Sequence, residues 1–311
     1  MQDIFLSIAP IFLLIVLGHG LRRCGIPSFE FWNLNDKLVY WVLMPALLFS
    51  KISAIHVESA LVGAFAVVVL GGFAAAVAFA LVSARLHGMA GPVASSLLQG
   101  AARHNTFIAL AVAGRLFGPE GLALAAVGTA LLIPITNVTV VALMVGLLRK
   151  PGEGSAVRAI LRDLARNPLL LAVGAGALVN LGGTGTIPVV HEVADLLGRA
   201  ALPIVLLCVG ANIRFRGMAA ALGPTVMSML GKMAVFPAAI LGLALALGLS
   251  PAETLVAALF GAAPTAASGY TLARQMGGDA PLMAAMITLQ TVLALVTLPL
   301  TVALVQGLAG P

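Results

Sequence analysis

The sequence predicts an all-α membrane protein with about ten transmembrane helices in two inverted five-helix repeats. Composition, the length of the apolar stretches and an internal repeat together predict this fold. Of the 311 residues, 61% are hydrophobic and 9% are charged, and the mean hydropathy is +1.10. A soluble domain carries roughly 25% charged residues. The polar side chains present here could not cover a soluble surface, so lipid is the expected solvent.

The apolar stretches indicate helices because they run for about twenty residues without the alternation of barrel strands. Helices also satisfy their own backbone hydrogen bonds in lipid. We expect the first stretch to be retained rather than cleaved as a secretory signal, because Arg22 and Arg23 follow its apolar core. The predicted spans are 4–21, 34–53, 59–84, 92–117, 121–148, 168–183, 188–211, 222–248, 251–276 and 281–306.

Basic residues are concentrated in alternate loops between these spans. The loops on the other side hold little beyond Lys51 and Arg115. Lysine and arginine mark cytoplasmic loops, so we expect both termini in the periplasm of a bacterial inner membrane. The net charge of +6 then favours anionic lipid over nucleic acid as the basic residues' partner. The basic loops hold Arg22, Arg23, Arg85, Arg149, Lys150, Arg158, Arg162, Arg166, Arg214, Arg216 and Arg274.

One long polar segment divides the chain into a first repeat at 1–148, a linker at 149–167 and a second repeat at 168–311. Within the linker, arginines recur every four residues opposite apolar positions. That spacing predicts a cationic amphipathic helix on the inner leaflet. An ordinary solvated connector is the alternative.

The internal repeat relates residues 100–106 to residues 261–267 at an offset near 160. Both segments lie in the fourth span of their half, and these spans open at Pro92 and Pro251. Five spans are an odd number, so the second half enters the membrane from the opposite face and the repeats are inverted. Chance similarity of low-complexity segments is the alternative.

The repeated segments also lie at the depth where inverted-repeat transporters bind their substrates. At 1.5 Å per residue, His104 lies about 18 Å from Pro92, near the middle of a core roughly 30 Å thick. Pro264 lies at a similar depth from Pro251. Proline interrupts a helix, and the N-termini of half-helices attract anions. These features predict a small carboxylate as the substrate.

Polar and helix-breaking residues around this point are the candidate site, and Thr265 and Ser268 are expected to expose backbone groups to a water-filled cavity. For Arg103, snorkelling or a structural ion pair is the alternative, and for Pro264 a packed kink. His104 is the coupling candidate, since its side chain titrates near neutral pH, and a packing histidine is the alternative. The candidate substrate-binding residues are Asn105, Thr106, Arg103, Pro264, Thr265 and Ser268.

Other classes of protein find little support in the sequence. Cys24 and Cys208 lack the spacing of a disulfide framework or a metal site. There is no phosphate loop, zinc-protease motif, serine elbow or pair of intramembrane aspartates, so we expect neither an enzyme nor a cofactor. A ligand-binding membrane receptor or regulatory subunit without turnover is the alternative function, and a channel is a third.

Three segments resemble the auxin efflux carrier family: 264–279, 38–49 and 202–211. The resemblance covers essentially the whole chain, and the first segment is its most specific part. Bacterial members are chiefly described as malonate or malate permeases, and plant relatives export auxin. The resemblance implies broken, crossing fourth and ninth helices, and a transporting helix group that moves against a scaffold. The family's crossover asparagine and proline would fall on Asn105 and Pro264.

The sequence departs from the family's commonest pattern in the fourth helix, because 108–111 contains no proline. A less sharply broken fourth helix is therefore expected. Taken together, the sequence predicts secondary active transport of a malonate-like, malate-like or auxin-like anion by alternating access. Proton coupling and assembly into a homodimer are further expectations. The sequence itself does not define the coupling ion or the oligomeric state.

Overall fold

The fold is known from a computed structural model, which describes residues 2–54, 59–148, 165–183, 185–213 and 222–309. All regular elements in these residues are helical. The α-helices are α1 (Gln2–Arg23), α2 (Phe29–Leu38), α3 (Met44–Ala54), α4 (Ser59–Leu86), α5 (Gly91–Ala102), α6 (Thr106–Leu148), α7 (Pro168–Leu181), α8 (Val190–Ala211), α9 (Leu222–Leu230), α10 (Phe236–Ala246), α11 (Pro251–Ala262), α12 (Ser268–Met276) and α13 (Ala280–Ala309).

Two spans contain a π-helical turn. Val39–Leu43 joins α2 to α3, and Gly231–Val235 joins α9 to α10. The second span begins at Phe29, five residues before the predicted position, because the Ser28 hydroxyl accepts a hydrogen bond from the Phe31 N–H at 3.1 Å and caps the helix. Within the described residues, six helical stretches are long and apolar enough to cross a membrane, and α7 and α11 are shorter apolar helices.

The two predicted interruptions are both present. The half-helices α5 and α11 each have 12 residues and begin with proline in the first turn, as the prolines at 92 and 251 predicted. Residues 103–105 and 263–267 are non-helical. The fourth helix is broken although 108–111 contains no proline, since Arg103 has a β-region backbone (φ −70°, ψ 146°). An asparagine cap and a contact with the other break produce this interruption without a proline.

The fourth and fifth predicted spans are joined in α6, which changes direction at Gly118 (φ 60°, ψ −145°). A positive φ favours glycine because it lacks a Cβ. The two limbs, 106–117 and 119–148, match the ends of the predicted spans closely. The predicted amphipathic helix falls mainly on 149–164, outside the described residues. After it, the Asn167 side chain accepts from two N–H groups and caps α7. The division into two inverted repeats stays a prediction.

The helices pack as two groups. The first helix group contains α1, α2, α3, α7 and α8, and the second contains α4, α5, α6 and α9 to α13. Contacts between the groups are made mainly by α6, which touches α1, α3 and α8, and by α13 where it touches α1. The second group contains both interrupted spans, so the breaks lie within one packed unit.

Glycines bring α1 and α8 into backbone contact in the first helix group. A Cβ on Gly210 would collide with the carbonyl oxygen of Ile15, and one on Gly18 would collide with that of Leu207. Small residues allow this close approach in membranes, where van der Waals packing drives helix association. Gly20, on the same helix α1, has nothing near its missing Cβ.

Gly210→Ala should therefore lower the stability of the purified protein by about 1–3 kcal/mol, because the added methyl group overpacks a backbone contact. Gly20→Ala is the matched control, and should be neutral or stabilising by up to about 1 kcal/mol through helix propensity. Thermal unfolding in detergent measures both. Equal melting temperatures for the two variants would contradict the close packing of α1 and α8.

Candidate substrate site

The two interruptions meet directly, and we call the point where they meet the crossover. The Asn105 backbone N–H donates to the Pro264 carbonyl oxygen at 2.7 Å. Asn105 is the last residue of the break at 103–105, and Pro264 lies within the break at 263–267. The contact therefore joins the two halves of the chain at one point. The sequence-predicted candidates are brought together around it, and all of them except Ser268 are buried.

Asn105 also starts the second half of its span. Its Oδ1 accepts hydrogen bonds from the N–H groups of Phe107 at 3.1 Å and Ile108 at 3.2 Å. These are donors that the first turn of a helix cannot satisfy internally. Thr106 is the first residue of α6 and is buried. The Asn105 side-chain oxygen therefore has a structural role, and the substrate role of the residue stays a prediction.

Thr265 belongs to a buried hydrogen-bond network rather than to a water-filled cavity. Its N–H donates to Gln290 Oε1 at 2.9 Å, and its hydroxyl lies 2.7 Å from both that oxygen and the Gly100 carbonyl oxygen. The Gln290 amide donates to Gly100 and to Ser228 Oγ, each at 2.9 Å. The expectation that Thr265 exposes its backbone was therefore wrong. The network ties α13 and α9 to the broken ends of α5 and α11.

A buried lysine lies at the C-terminus of α11. Lys232 Nζ donates to the Phe260 carbonyl oxygen at 3.0 Å and lies 4.3 Å from the centre of the Phe236 ring. The last carbonyls of a helix carry partial negative charge and lack internal partners. Lys232 therefore satisfies one of these carbonyl groups by a hydrogen bond, and its side chain is fully buried.

Arg103 is the second buried cation, at the C-cap of α5. Its Nη2 donates to Asn137 Oδ1 at 3.0 Å and Ser268 Oγ at 3.3 Å. Its Nη1 is buried with no hydrogen-bond partner in the described part of the chain. No carboxylate there forms an ion pair with it, so the structural ion-pair alternative finds no support among these residues. Tyr40, on the first helix group, is close enough to interact with it electrostatically.

Further polar groups near Arg103 lack partners. One turn earlier on α5, both polar atoms of the fully buried Gln99 side chain are without a hydrogen bond in the described residues, as is the Thr136 hydroxyl beside Asn137. Sequence reasoning did not select Gln99 or Tyr40. An amide or a phenol within a span is the signal that could have drawn attention to them.

His104 lies against Phe260, with ring centres 5.6 Å apart in an edge-on arrangement. Its Nδ1 is buried without a partner in the described residues. The contact fits the packing alternative, and the role in proton coupling stays a prediction. The described residues contain no group of three histidine, cysteine or acidic side chains that could hold a metal ion.

Gln290→Leu should lower the stability of the protein by about 2 kcal/mol, because the Thr265 N–H loses its partner in a buried site. Gln306→Leu, on the exposed end of the same helix, is the matched control and should change stability by less than about 0.5 kcal/mol. Melting temperatures in detergent measure both. A Gln290→Leu protein as stable as the control would show that this network does not hold the crossover.

Comparison with known protein families gives a match over nearly the whole chain. A family model described as "Membrane transport protein" matches residues 3–302, nearly the whole chain. No curated protein sequence matches the chain significantly. The matched region includes both helix groups, both interruptions and every candidate residue named above. With its broken helices meeting at Asn105 and Pro264, the chain belongs to the auxin efflux carrier family of membrane transport proteins.

Proposed function

We propose that this chain is a secondary active transporter that carries a small organic carboxylate across the bacterial inner membrane. The observation that carries the proposal is the buried guanidinium of Arg103, whose Nη1 has no partner among the described residues. Removing a charge from water costs several kcal/mol unless an opposite charge or hydrogen bonds compensate. A substrate carboxylate would provide both.

The surroundings of Arg103 support an anion rather than a cation. Ser268 is the exposed first residue of α12, so the positive end of that half-helix lies beside the guanidinium. The N-terminus of α6, at Asn105, adds a second positive end. In this proposal Arg103 and Ser268 contact the carboxylate, and Asn105 and Thr106 shape the opposite wall. Pro264 and Thr265 hold the crossover in place.

The two helix groups support alternating access. The candidate site lies on the second group, while Tyr40, between α2 and α3 of the first group, interacts electrostatically with Arg103. A relative movement of the groups would expose the site to one side and then to the other. Malonate, malate and an auxin-like aromatic carboxylate all fit this chemistry. We also propose proton coupling through His104, periplasmic termini, and assembly of two copies of the chain.

Arg103→Gln should reduce carboxylate uptake by about 10- to 100-fold, because a hydrogen bond to a charged group contributes about 1.5–3 kcal/mol. Arg85→Gln removes the same charge from an exposed position at the end of α4 and should leave uptake nearly unchanged. Uptake is measured in proteoliposomes with labelled malonate, malate and phenylacetate. A pH-sensitive dye in the lumen reports whether protons accompany the substrate.

Two outcomes would contradict the proposal. No protein-dependent uptake of any of the three carboxylates would remove the proposed function. Equal uptake by Arg103→Gln and Arg85→Gln would remove Arg103 from the site. Saturable binding without counterflow would instead favour a receptor, and rates that do not saturate with substrate concentration would favour a channel.

Asn105→Ser separates the structural role of Asn105 from its proposed substrate role. Serine keeps an oxygen that caps α6, so stability should change by less than about 0.5 kcal/mol. If the amide NH₂ contacts the substrate, the KM for uptake should rise about tenfold, as expected for the loss of one hydrogen bond to a carboxylate. Unchanged uptake in a protein of unchanged stability would leave Asn105 with its capping role only.

A further inference from the structure

A narrow groove of about 100 Å³ lies between α1 and α13, where these two helices join the two helix groups. The Thr291 hydroxyl at its edge donates to the Ile287 carbonyl oxygen of its own helix at 2.7 Å. The groove is therefore apolar apart from the His19 ring. Its main lining side chains are Phe12, Val16 and His19 of α1, and Val292 and Leu295 of α13.

The groove opens toward lipid rather than toward water. Val16 is 57% exposed and Val292 is 36% exposed, one on each wall. Next to them, Leu17 and Leu293 are exposed as well. Exposed apolar side chains within a span face acyl chains, because lipid is the solvent at that depth. A hydrocarbon chain of the bilayer therefore has direct access to the groove.

A cation extends the line of the groove toward the end of α1. Phe12, Val16, His19 and Arg23 follow one another at spacings of four, three and four residues, which places them on one face of a helix. Arg23 lies about 6 Å beyond His19 along the helix axis. It is exposed, and no acidic side chain in the described ranges forms an ion pair with it.

The neighbouring Arg22 is engaged by other side chains. Its Nη1 donates to Asn212 Oδ1 at 3.3 Å, and the Asn212 amide donates to Asp36 Oδ2 at 2.9 Å. The Asp36 carboxylate also interacts electrostatically with Arg22. These contacts tie the end of α1 to α8 and α2. Arg23 is therefore the cation at this end of α1 that an external anion can neutralise.

Arg23 lies at the depth of lipid headgroups. It follows the apolar core of the first span, 4–21, by two residues, whereas the groove lies within that core. A phospholipid places its phosphate at this level and its acyl chains within the hydrocarbon region. Basic residues just outside a span attract anionic headgroups. The spacing from Arg23 to the groove thus matches the order of phosphate and acyl chain in a lipid.

We propose that Arg23 and this groove form a binding site for an anionic phospholipid, with the phosphate against Arg23 and one acyl chain between α1 and α13. Van der Waals packing of the chain in the groove holds it in place of bulk lipid. Both helix groups contact the chain, so the bound lipid stabilises their present arrangement. Lipid binding at this place does not require that the chain transports a carboxylate.

The charge of the headgroup determines which lipid binds. The phosphate of phosphatidylglycerol carries a single negative charge, which Arg23 can neutralise. Phosphatidylcholine adds a quaternary ammonium group, and its positive charge would lie near the guanidinium. The acyl chains of the two lipids are the same, so their packing in the groove does not distinguish them.

Native mass spectrometry of the full-length protein in detergent tests this site, with phosphatidylglycerol and phosphatidylcholine of the same acyl chains added in turn. Phosphatidylglycerol should bind about fivefold more tightly, and Arg23→Gln should remove this preference, as expected for one basic residue near an anionic headgroup. Arg85→Gln is the matched control, because Arg85 is also exposed at the end of a span, and it should keep the preference.

A second pair of variants tests the groove. Val16→Trp places an indole in the space of the acyl chain and should weaken phosphatidylglycerol binding about fivefold through lost packing. Leu17→Trp is the matched control, since that side chain is 51% exposed and does not line the groove. It should bind lipid like the wild-type protein. Melting temperatures of all four variants show whether they remain folded.

Three results would overturn the proposal: equal binding of the two lipids, equal effects of Arg23→Gln and Arg85→Gln, or equal effects of the two tryptophan variants. Glycerol phosphate, which has the phosphate but no acyl chain, should not bind. Binding as tight as that of phosphatidylglycerol would assign Arg23 to a free phosphate. A dimer that Val16→Trp dissociates, with lipid binding unchanged, would assign the groove to a second copy of the chain.

Discussion

The structure depends on the meeting of two interrupted helices inside an apolar medium. A helix that ends within a bilayer leaves N–H and C=O groups without partners, and each is costly to bury. The bond from the Asn105 N–H to the Pro264 carbonyl oxygen satisfies one group from each interruption. The remaining groups have to be satisfied by side chains, which explains why such an apolar sequence carries polar residues at mid-depth.

Those side chains are supplied by the neighbouring helices. Gln290, on α13, forms hydrogen bonds with both interrupted spans. Lys232, in the π-helical turn Gly231–Val235, binds the carbonyl end of α11. Asn105 caps α6 itself. Arg103 differs from these residues because part of its guanidinium has no partner in the described chain. The crossover thus retains a cationic group that is available to a ligand, and the proposed transport of an anion rests on this group.

The proposed alternating access depends on the division of the helices into two groups. The candidate site lies on the second group, and a cleft lined by α6 and by α1, α3 and α8 lies along the boundary between the groups. Close glycine contacts hold α1 against α8 within the first group. In the proposed function, the two groups move against each other while each keeps its internal packing.

The sequence by itself determined the membrane solvent, the helical class, the approximate spans and the place of both interruptions. These four features follow from the composition, from the lengths of the apolar stretches and from the prolines at 92, 251 and 264. Each of these signals acts on the chain locally, without reference to distant residues. It also selected Arg103, Asn105 and Ser268, whose polarity is conspicuous at mid-depth. Only the tertiary structure decided that the N–H and hydroxyl of Thr265 are hydrogen-bonded, that Gln290 links the two halves, that Tyr40 interacts electrostatically with Arg103 and that α6 borders a cleft. These facts depend on which helices become neighbours, and contacts between residues far apart in the chain have no local pattern that reveals them.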